Sequence, residues 1–254
     1  MIKAIQILRH QGKQFIKDVT KVTLNEPFRG RPVISKIKVD EEALAKICPT
    51  NAITVNPVSI DLGKCSFCGE CAFQFPAKIK FTSDYKLAAN DRKKLIVQEG
   101  DDKAIELNSE LIRKEIVSFF RGSLKLRQVS AGGDNSAELE LNAAGNVNFD
   151  MGRFGINFVA SPRHADGIVI TGPITENMAE PLQICYDAIP SPKIVILCGV
   201  DAISGGVFQN SAALNRKFLE THKVDLYVPG NPPHPLTFIN GVLELIGKLS
   251  RVKR

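Results

Sequence analysis

Leu124-Lys125-Leu126-Arg127-Gln128-Val129-Ser130-Ala131-Gly132-Gly133 opens the stretch that decides the fold. A short β-rich run ends in a paired-glycine turn, a helical pattern follows over Ala137–Ala144, and a second run comes at Ile156–Ala160. Gly167-Ile168-Val169-Ile170-Thr171 reads as a third strand, apolar and bounded by the turn residues Gly172-Pro173. The alternation continues with a helix over Glu176–Ile189, a strand at Lys193–Cys198, a helix over about Ala212–His222 and a strand at Val224–Val228. A closing helix is expected at Leu236–Leu249. Strands alternating with helices imply a parallel sheet covered on both faces, the α/β class. Ligands of such sheets gather at the carboxyl ends of the strands. The loops after Val129, Ala160, Thr171, Cys198 and Val228 are therefore the ones to inspect.

Upstream the pattern differs. Short strands are expected at Ile53-Thr54-Val55 and Ile79-Lys80-Phe81, each following a cysteine loop. Asp101–Arg121 reads as a linker and then a helix with Leu111, Ile112, Ile116, Phe119 and Phe120 at helical spacing; Arg121-Gly122-Ser123 marks a boundary. This divides the chain into a docking helix and linker (1–40), a metal-binding module (41–100), a linker helix (101–123) and the α/β domain (124–254). Four of the six cysteines lie in the second segment: Cys48 before Pro49, then Cys65, Cys68 and Cys71 at two-residue intervals. An all-thiolate zinc site is one candidate, although zinc sites usually pair two C-x2-C knuckles. A triplet at this spacing suits three corners of a cubane instead. The arrangement resembles half of a two-cluster bacterial ferredoxin, whose motifs each read C-x2-C-x2-C-x3-C-P with the last cysteine crossing to the other cluster. Here the first motif keeps only Cys48-Pro49, and the second keeps only its triplet, with Phe75-Pro76 where its crossing cysteine belongs. The survivors are the ligands of one cubane. The resemblance implies one [4Fe–4S] cluster on Cys48, Cys65, Cys68 and Cys71. Disulfides are not expected, because no signal peptide is visible and the spacing suits metal in a reducing compartment.

Composition is that of an ordinary globule, and no apolar run reaches the roughly 18–20 residues of a spanning helix. The formal charge of +6 is uneven: residues 1–128 hold 23 Lys and Arg against 15 Asp and Glu, and the remainder holds 10 against 12. The basic residues are scattered and Trp is absent, so no nucleic-acid groove is expected. Met1–Ile16 carries Ile2, Ile5, Leu8 and Phe15 near helical spacing with Lys3, Arg9 and Lys13 between, which suits either a bilayer surface or a partner subunit. Cys185 in a helix and Cys198 at a strand end are expected to be free core cysteines. His10, His222 and His234 receive no role, and His164 is expected to be a loop histidine. No nucleophile elbow, H-E-x-x-H, Walker or G-x-G-x-x-G sequence marks an independent active site.

The loops of the α/β domain carry a second resemblance. They read Gly133-Asp134-Asn135-Ser136-Ala137-Glu138-Leu139-Glu140, then Ala160-Ser161-Pro162-Arg163-His164-Ala165-Asp166, Thr171-Gly172-Pro173, Cys198-Gly199-Val200-Asp201-Ala202-Ile203-Ser204-Gly205-Gly206 and Val228-Pro229-Gly230-Asn231-Pro232-Pro233. Over about Leu124–Leu249 this is similar to the small subunit shared by energy-converting [NiFe] hydrogenases, formate hydrogenlyase and respiratory complex I. The N-terminal part, including Pro27-Phe28-Arg29-Gly30 and Phe81–Ala89, resembles the ferredoxin-like subunit of the same complexes, so the chain looks like a fusion of the two. The resemblance implies a parallel flavodoxin-like sheet covered by helices, preceded by a small ferredoxin-like α+β iron–sulfur module. The family's small-subunit cluster cysteines match Asp134, Ala137, Asp201 and Asn231, so no cluster is expected there. Asp134, Glu138, Asp201 and Asn231 are expected to satisfy one another or water where the cluster would sit; the alternative is an oxygen-rich pocket for a hard cation or a proton relay, with His164 nearby. The implied role is a non-catalytic electron-transfer or scaffold subunit of a membrane-associated oxidoreductase complex. Its implied partners are a hydrogenase-like large subunit and membrane subunits, and its implied place is cytoplasmic, peripheral on the inner face of the cell membrane. The alternative is a structural or regulatory subunit of an ion-translocating assembly whose cluster is a fold staple or redox sensor.

Overall fold

The computed structural model describes residues 2–12 and 14–249. Helix α1 (Ile2–Gln11) buries none of its residues and ends at Gly12, whose φ of +64° terminates it. It is shorter than the expected Met1–Ile16; Met1 and Lys13 lie outside the described residues. Strand β1 (Pro32–Ile34) and helix α2 (Glu41–Lys46) follow, the helix capped by Asp40 accepting from the Ala43 N–H at 3.0 Å. Then come β2 (Ile53–Thr54), β3 (Ser59–Asp61), α3 (Glu70–Gln74), β4 (Ile79–Phe81), β5 (Ile96–Gln98) and α4 (Lys114–Phe120). β1 pairs antiparallel with β4, while β2, β3 and β5 form a separate antiparallel sheet.

The expected helix before residue 121 is confined to α4, preceded by a 3-10 turn at Ser109–Leu111. Arg113 is drawn into extended backbone just before α4: its guanidinium donates to both carboxylate oxygens of Asp225 at 3.1 Å and to the Lys193 carbonyl at 2.5 Å. Leu111 and Phe119 are exposed, and only Ile116 and Phe120 of α4 are buried.

The second part is built from β6 (Leu124–Ser130), α5 (Ser136–Ala144), β7 (Ile156–Phe158), β8 (Gly167–Thr171), α6 (Glu176–Asp187), β9 (Ile194–Cys198), α7 (Val200–Ser204), α8 (Phe218–Thr221), β10 (Leu226–Val228) and α9 (Pro235–Leu245). All pairings are parallel and the spatial order is β10-β9-β8-β6-β7, the 2-1-3-4-5 order of flavodoxin-like sheets. β8 and β9 are buried at every position, as central parallel strands are, which is why their sequences read apolar without alternation. The helix expected over Ala212–His222 contracts to α8. Residues before it are spent on the loop after β8 instead: Asn215 N–H donates to the Ile174 carbonyl and Glu176 N–H to that of Ala213.

α9 is buried at ten of eleven residues. An all-round apolar helix needs cover on every side, and the N-terminal segments supply it. Asn240 donates to the Val19 carbonyl at 2.8 Å, Glu244 accepts from the Leu107 N–H at 3.0 Å, and a Cβ on Gly241 would fall 2.5 Å from that of Ala88. One apolar core joins Leu44, Ile60 and Ile79 to Ile168, Ile170 and Leu197; a second joins Tyr85 and Ala88 to Leu226 and Phe238. The halves on either side of residue 123 thus share their cores. Lys78 is buried to 1 % side-chain exposure in the first half, where its ammonium meets Glu99 at 2.7 Å and the Ile37 carbonyl at 3.0 Å.

Candidate metal centre and a thiol-free pocket

Cys48, Cys65, Cys68 and Cys71 line one pocket, with Ala52, Ile53, Ile60 and Phe81 among its walls. Cys48 follows the end of α2, and Cys65 closes a turn after β3 with its N–H on the Asp61 carbonyl at 2.9 Å. Cys71 lies in the first turn of α3, and Gly69 enters that helix with φ +82°. Two thiols already have backbone donors aimed at sulfur: Ala52 N–H on Cys48 Sγ at 3.2 Å and Phe67 N–H on Cys65 Sγ at 3.3 Å. Such N–H groups stabilise thiolate charge, one of the levers that set an iron–sulfur potential. Cys65 and Cys71 are buried and Cys68 is exposed. Burial pushes the Cys65 thiol up to about 12 and the Cys71 thiol up to about 11, so metal must displace protons to bind them.

Among the described residues no three His, Cys, Asp or Glu side chains are gathered closely enough to hold a single metal ion. A tetrahedral zinc with bonds of about 2.3 Å would draw its sulfurs to within about 3.8 Å of one another. A cubane offers each thiolate its own iron and accepts a wider ring of ligands. Four thiols around a mostly apolar pocket that also carries Ser66 and Glu70, two of the thiols already supplied with N–H donors, are a donor set that fits such a cluster.

A second pocket lies at the carboxyl ends of β6, β9 and β10. Asp134, Ala137, Asp201 and Asn231 all line it, together with Glu138, Cys198 and Gly199. It borders the topological switch point, where β6 has neighbours running off in opposite directions. The loops after β6 and β8 close tightly there: a Cβ on Gly172 would fall 2.4 Å from the Gly133 nitrogen. The acidic groups are largely satisfied locally. Asp134 accepts from the Ser136 N–H at 2.9 Å and hydroxyl at 2.6 Å, which holds its carboxyl below the usual range. Glu138 accepts from the Thr171 hydroxyl at 2.6 Å. Burial and the nearby Asp134 push Asp201 up, and the Arg216 guanidinium works against them. Arg216 itself donates to the Pro173, Asp201, Ala202 and Ile203 carbonyls, pinning the loop. Cys198 is fully buried and its thiol is raised by desolvation. Cys185 sits half-buried in α6, and His164 is exposed in a 3-10 turn away from the pocket.

Between the pockets lies a cavity of about 230 Å³, reaching from Phe67 in the cysteine loop to Asn231, with Arg29, Glu140, His234 and Thr237 on its walls. His234, to which the sequence pattern assigns no role, caps α9: its Nδ1 accepts from the Leu236 N–H at 3.1 Å. Its signal was the following Pro235 at the first helical position. The ring packs edge-on against Phe28 and Phe149 at 5.2 and 5.6 Å, and burial lowers its pKa to about 4. The unfolded chain therefore takes up this proton first. Stability is full above about pH 6.5 and is lost as pH falls toward 4, on the order of 2 kcal/mol after allowance for the ring's partial exposure. His234→Asn, which caps without titrating, is expected to flatten that acid limb in denaturant melts; an unchanged limb would assign it to other groups.

Residues 135–245 match the family model described as NADH ubiquinone oxidoreductase, 20 Kd subunit. The chain is 36 % identical over 150 residues to the probable membrane-bound hydrogenase subunit mbhJ of Pyrococcus furiosus, covering 57 % of this chain and 90 % of that one. It is 41 % identical over 113 residues to an NADH-quinone oxidoreductase subunit of Geotalea daltonii, covering 44 % of this chain and 66 % of that protein. Among solved structures, a chain of the membrane-bound sulfane sulfur reductase, an archaeal respiratory membrane complex, aligns at 27 % identity with a TM-score of 0.45, covering 52 % of this chain and 72 % of that one.

Proposed function

The chain belongs to the family of the 20 kDa subunit of NADH ubiquinone oxidoreductase, which takes in the membrane-bound hydrogenase small subunits, and from that premise we propose that it is a single-cluster electron-transfer or scaffold subunit of such a complex. In this reading a ferredoxin-like module (41–100) is fused to a small-subunit-like α/β domain (124–254), with 1–40 as docking helix and linker and 101–123 as connecting helix. Cys48, Cys65, Cys68 and Cys71 would hold one [4Fe–4S] cluster, and Asp134, Ala137, Asp201 and Asn231 mark a cluster site that has lost its thiolates. The observation that carries the proposal is the convergence of four thiols, separated by up to 23 positions of sequence, on one pocket.

When bound, the cluster would supply one-electron exchange at low potential. The chain's own contribution is to position and insulate. Ala52 and Phe67 direct N–H groups at sulfur, Ile53, Ile60 and Phe81 keep water from the buried side, and the exposed Cys68 leaves one edge open to a partner. The second pocket offers Asp, Ala, Asp and Asn where soft ligands would be needed, so no electron step is drawn through it. The partners in this reading are a hydrogenase-like large subunit and membrane subunits. No described helix is long and apolar enough to cross a membrane. Peripheral attachment to the inner face of the membrane would then use α1, whose Ile2 and Leu8 are 75 % and 67 % exposed beside Lys3 and Arg9.

The test is anaerobic purification of the native complex with iron and sulfide quantification, EPR of the reduced protein and identification of co-purifying subunits. About four iron atoms per chain, one reduced-cluster signal and a large-subunit homologue are expected. About eight iron atoms, or zinc alone, would overturn the assignment.

A further inference from the structure

We propose that Arg29 is a positioning residue for the cysteine centre, a fixed positive charge that raises the centre's reduction potential. The inference rests on the one-cluster reading above. Arg29 Nη1 donates to the Phe67 carbonyl at 3.2 Å, and the Phe67 N–H donates to Cys65 Sγ at 3.3 Å. The rest of the side chain lies on Gly69, the residue after Cys68. A Cβ on Gly69 would fall 2.6 Å from Arg29 Nε and 3.1 Å from Cδ, so the arginine occupies the space a side chain would need. The guanidinium therefore spans the short peptide that carries Cys68 and leads into Cys71.

The backbone around Arg29 is locked in place. Gly30 N–H donates to the Thr82 carbonyl at 2.7 Å and Arg31 N–H to that of Asp84 at 3.0 Å. A Cβ on Gly30 would meet the Asp84 carbonyl oxygen at 2.0 Å, so this approach of the two chains requires glycine. Among the described residues no carboxylate forms an ion pair with Arg29, so its charge lies against the Phe67 and Gly69 backbone of the cysteine loop without a paired counter-charge.

The electrostatic consequence has a definite sign. A cluster on four thiolates is anionic, and reduction adds one further negative charge with no bond made or broken and no proton required. A cation held near the ligand loop favours the more negative state, and net charge and hydrogen bonding near the sulfurs are recognised determinants of potential. Because Arg29 is exposed, salt screens part of the effect.

The experiment is an EPR-monitored redox titration of the complex, with dithionite as electron donor, comparing wild type, Arg29→Gln and Arg29→Lys at matched iron and sulfide content. Arg29→Gln is expected to disfavour reduction by up to about tenfold, which is 59 mV for a one-electron couple. Arg29→Lys is expected to stay near wild type, and the gap between Gln and wild type is expected to narrow at high salt. Equal potentials for wild type and Arg29→Gln would overturn the proposal. So would a fall in Arg29→Lys as large as in Arg29→Gln, which would assign the effect to the guanidinium's shape. If Arg29→Gln does not retain iron, Arg29→Met takes its place; loss of iron from both while Lys retains it would make Arg29 a requirement for assembly and refute tuning. Absence of iron from the wild type would instead sink the one-cluster reading, and this inference with it.

Discussion

If the proposed one-cluster reading holds, Cys65→Ala is expected to reduce iron from about four atoms per chain to fewer than one and to lower the melting temperature of the whole chain. Cys65 is 7 % exposed and belongs to the apolar core that also contains Leu44, Ile60 and Ile79. Alanine leaves no ligand atom, so in the proposed reading the cysteine loop would lose the bonds that hold it against that core. The same core continues into Ile168, Ile170 and Leu197 of the parallel sheet, so the damage is not confined to residues 41–100. Melting is expected as one transition at lower temperature, in place of an early local step followed by an unchanged main one. Cys185→Ala, half-buried in α6 and outside the cysteine pocket, serves as the control and should leave iron unchanged. Full iron retention in Cys65→Ala would refute the ligand set.

Restoring thiols at the second pocket tests the other half of the proposal. The quadruple variant Asp134→Cys, Ala137→Cys, Asp201→Cys, Asn231→Cys is expected to bind a second cluster on anaerobic reconstitution, bringing iron to about eight atoms per chain with a second EPR signal. All four positions line one pocket, and the loops that shape it are intact. Gly133 and Gly172 keep their close approach, and Arg216 still pins the turn that carries Asp201. Removing Asp134 and Asp201 also removes an unfavourable contact, since the Asp134 charge helps push the Asp201 carboxyl up. A folded quadruple variant that stays at about four iron atoms would show that the loss involves more than four side chains.

Much of the α/β domain was legible because its signals are local. Gly167–Thr171 is a strand with the expected bounds, since apolar β-branched runs between turn residues have few other uses. The helix expected over Ala212–His222 was not legible as the loop it mostly is. Its backbone groups bond to residues 174–176, and nothing in the local pattern announces that competition. Arg113 is a similar case, its extended backbone set by Asp225, a residue 112 positions away.

The candidate site divides along the same line. Cysteine spacing, read with the ferredoxin resemblance, picks out Cys48, Cys65, Cys68 and Cys71 as the proposed ligand set, because C-x2-C-x2-C and a distant Cys-Pro are covalent facts of the chain. The resemblance to the hydrogenase and complex I small subunits is what implies that Asp134, Ala137, Asp201 and Asn231 stand where thiolates would be, and Asp, Ala and Asn are poor soft-metal ligands. Only the tertiary structure decided that the two halves share their cores, that α9 is covered on every side, and that His234 caps that helix. It also decided that Arg29 lies on Gly69 with no carboxylate of the described residues paired to it. Burial, capping and charge compensation depend on which distant segments meet, and that is fixed by packing over the whole chain.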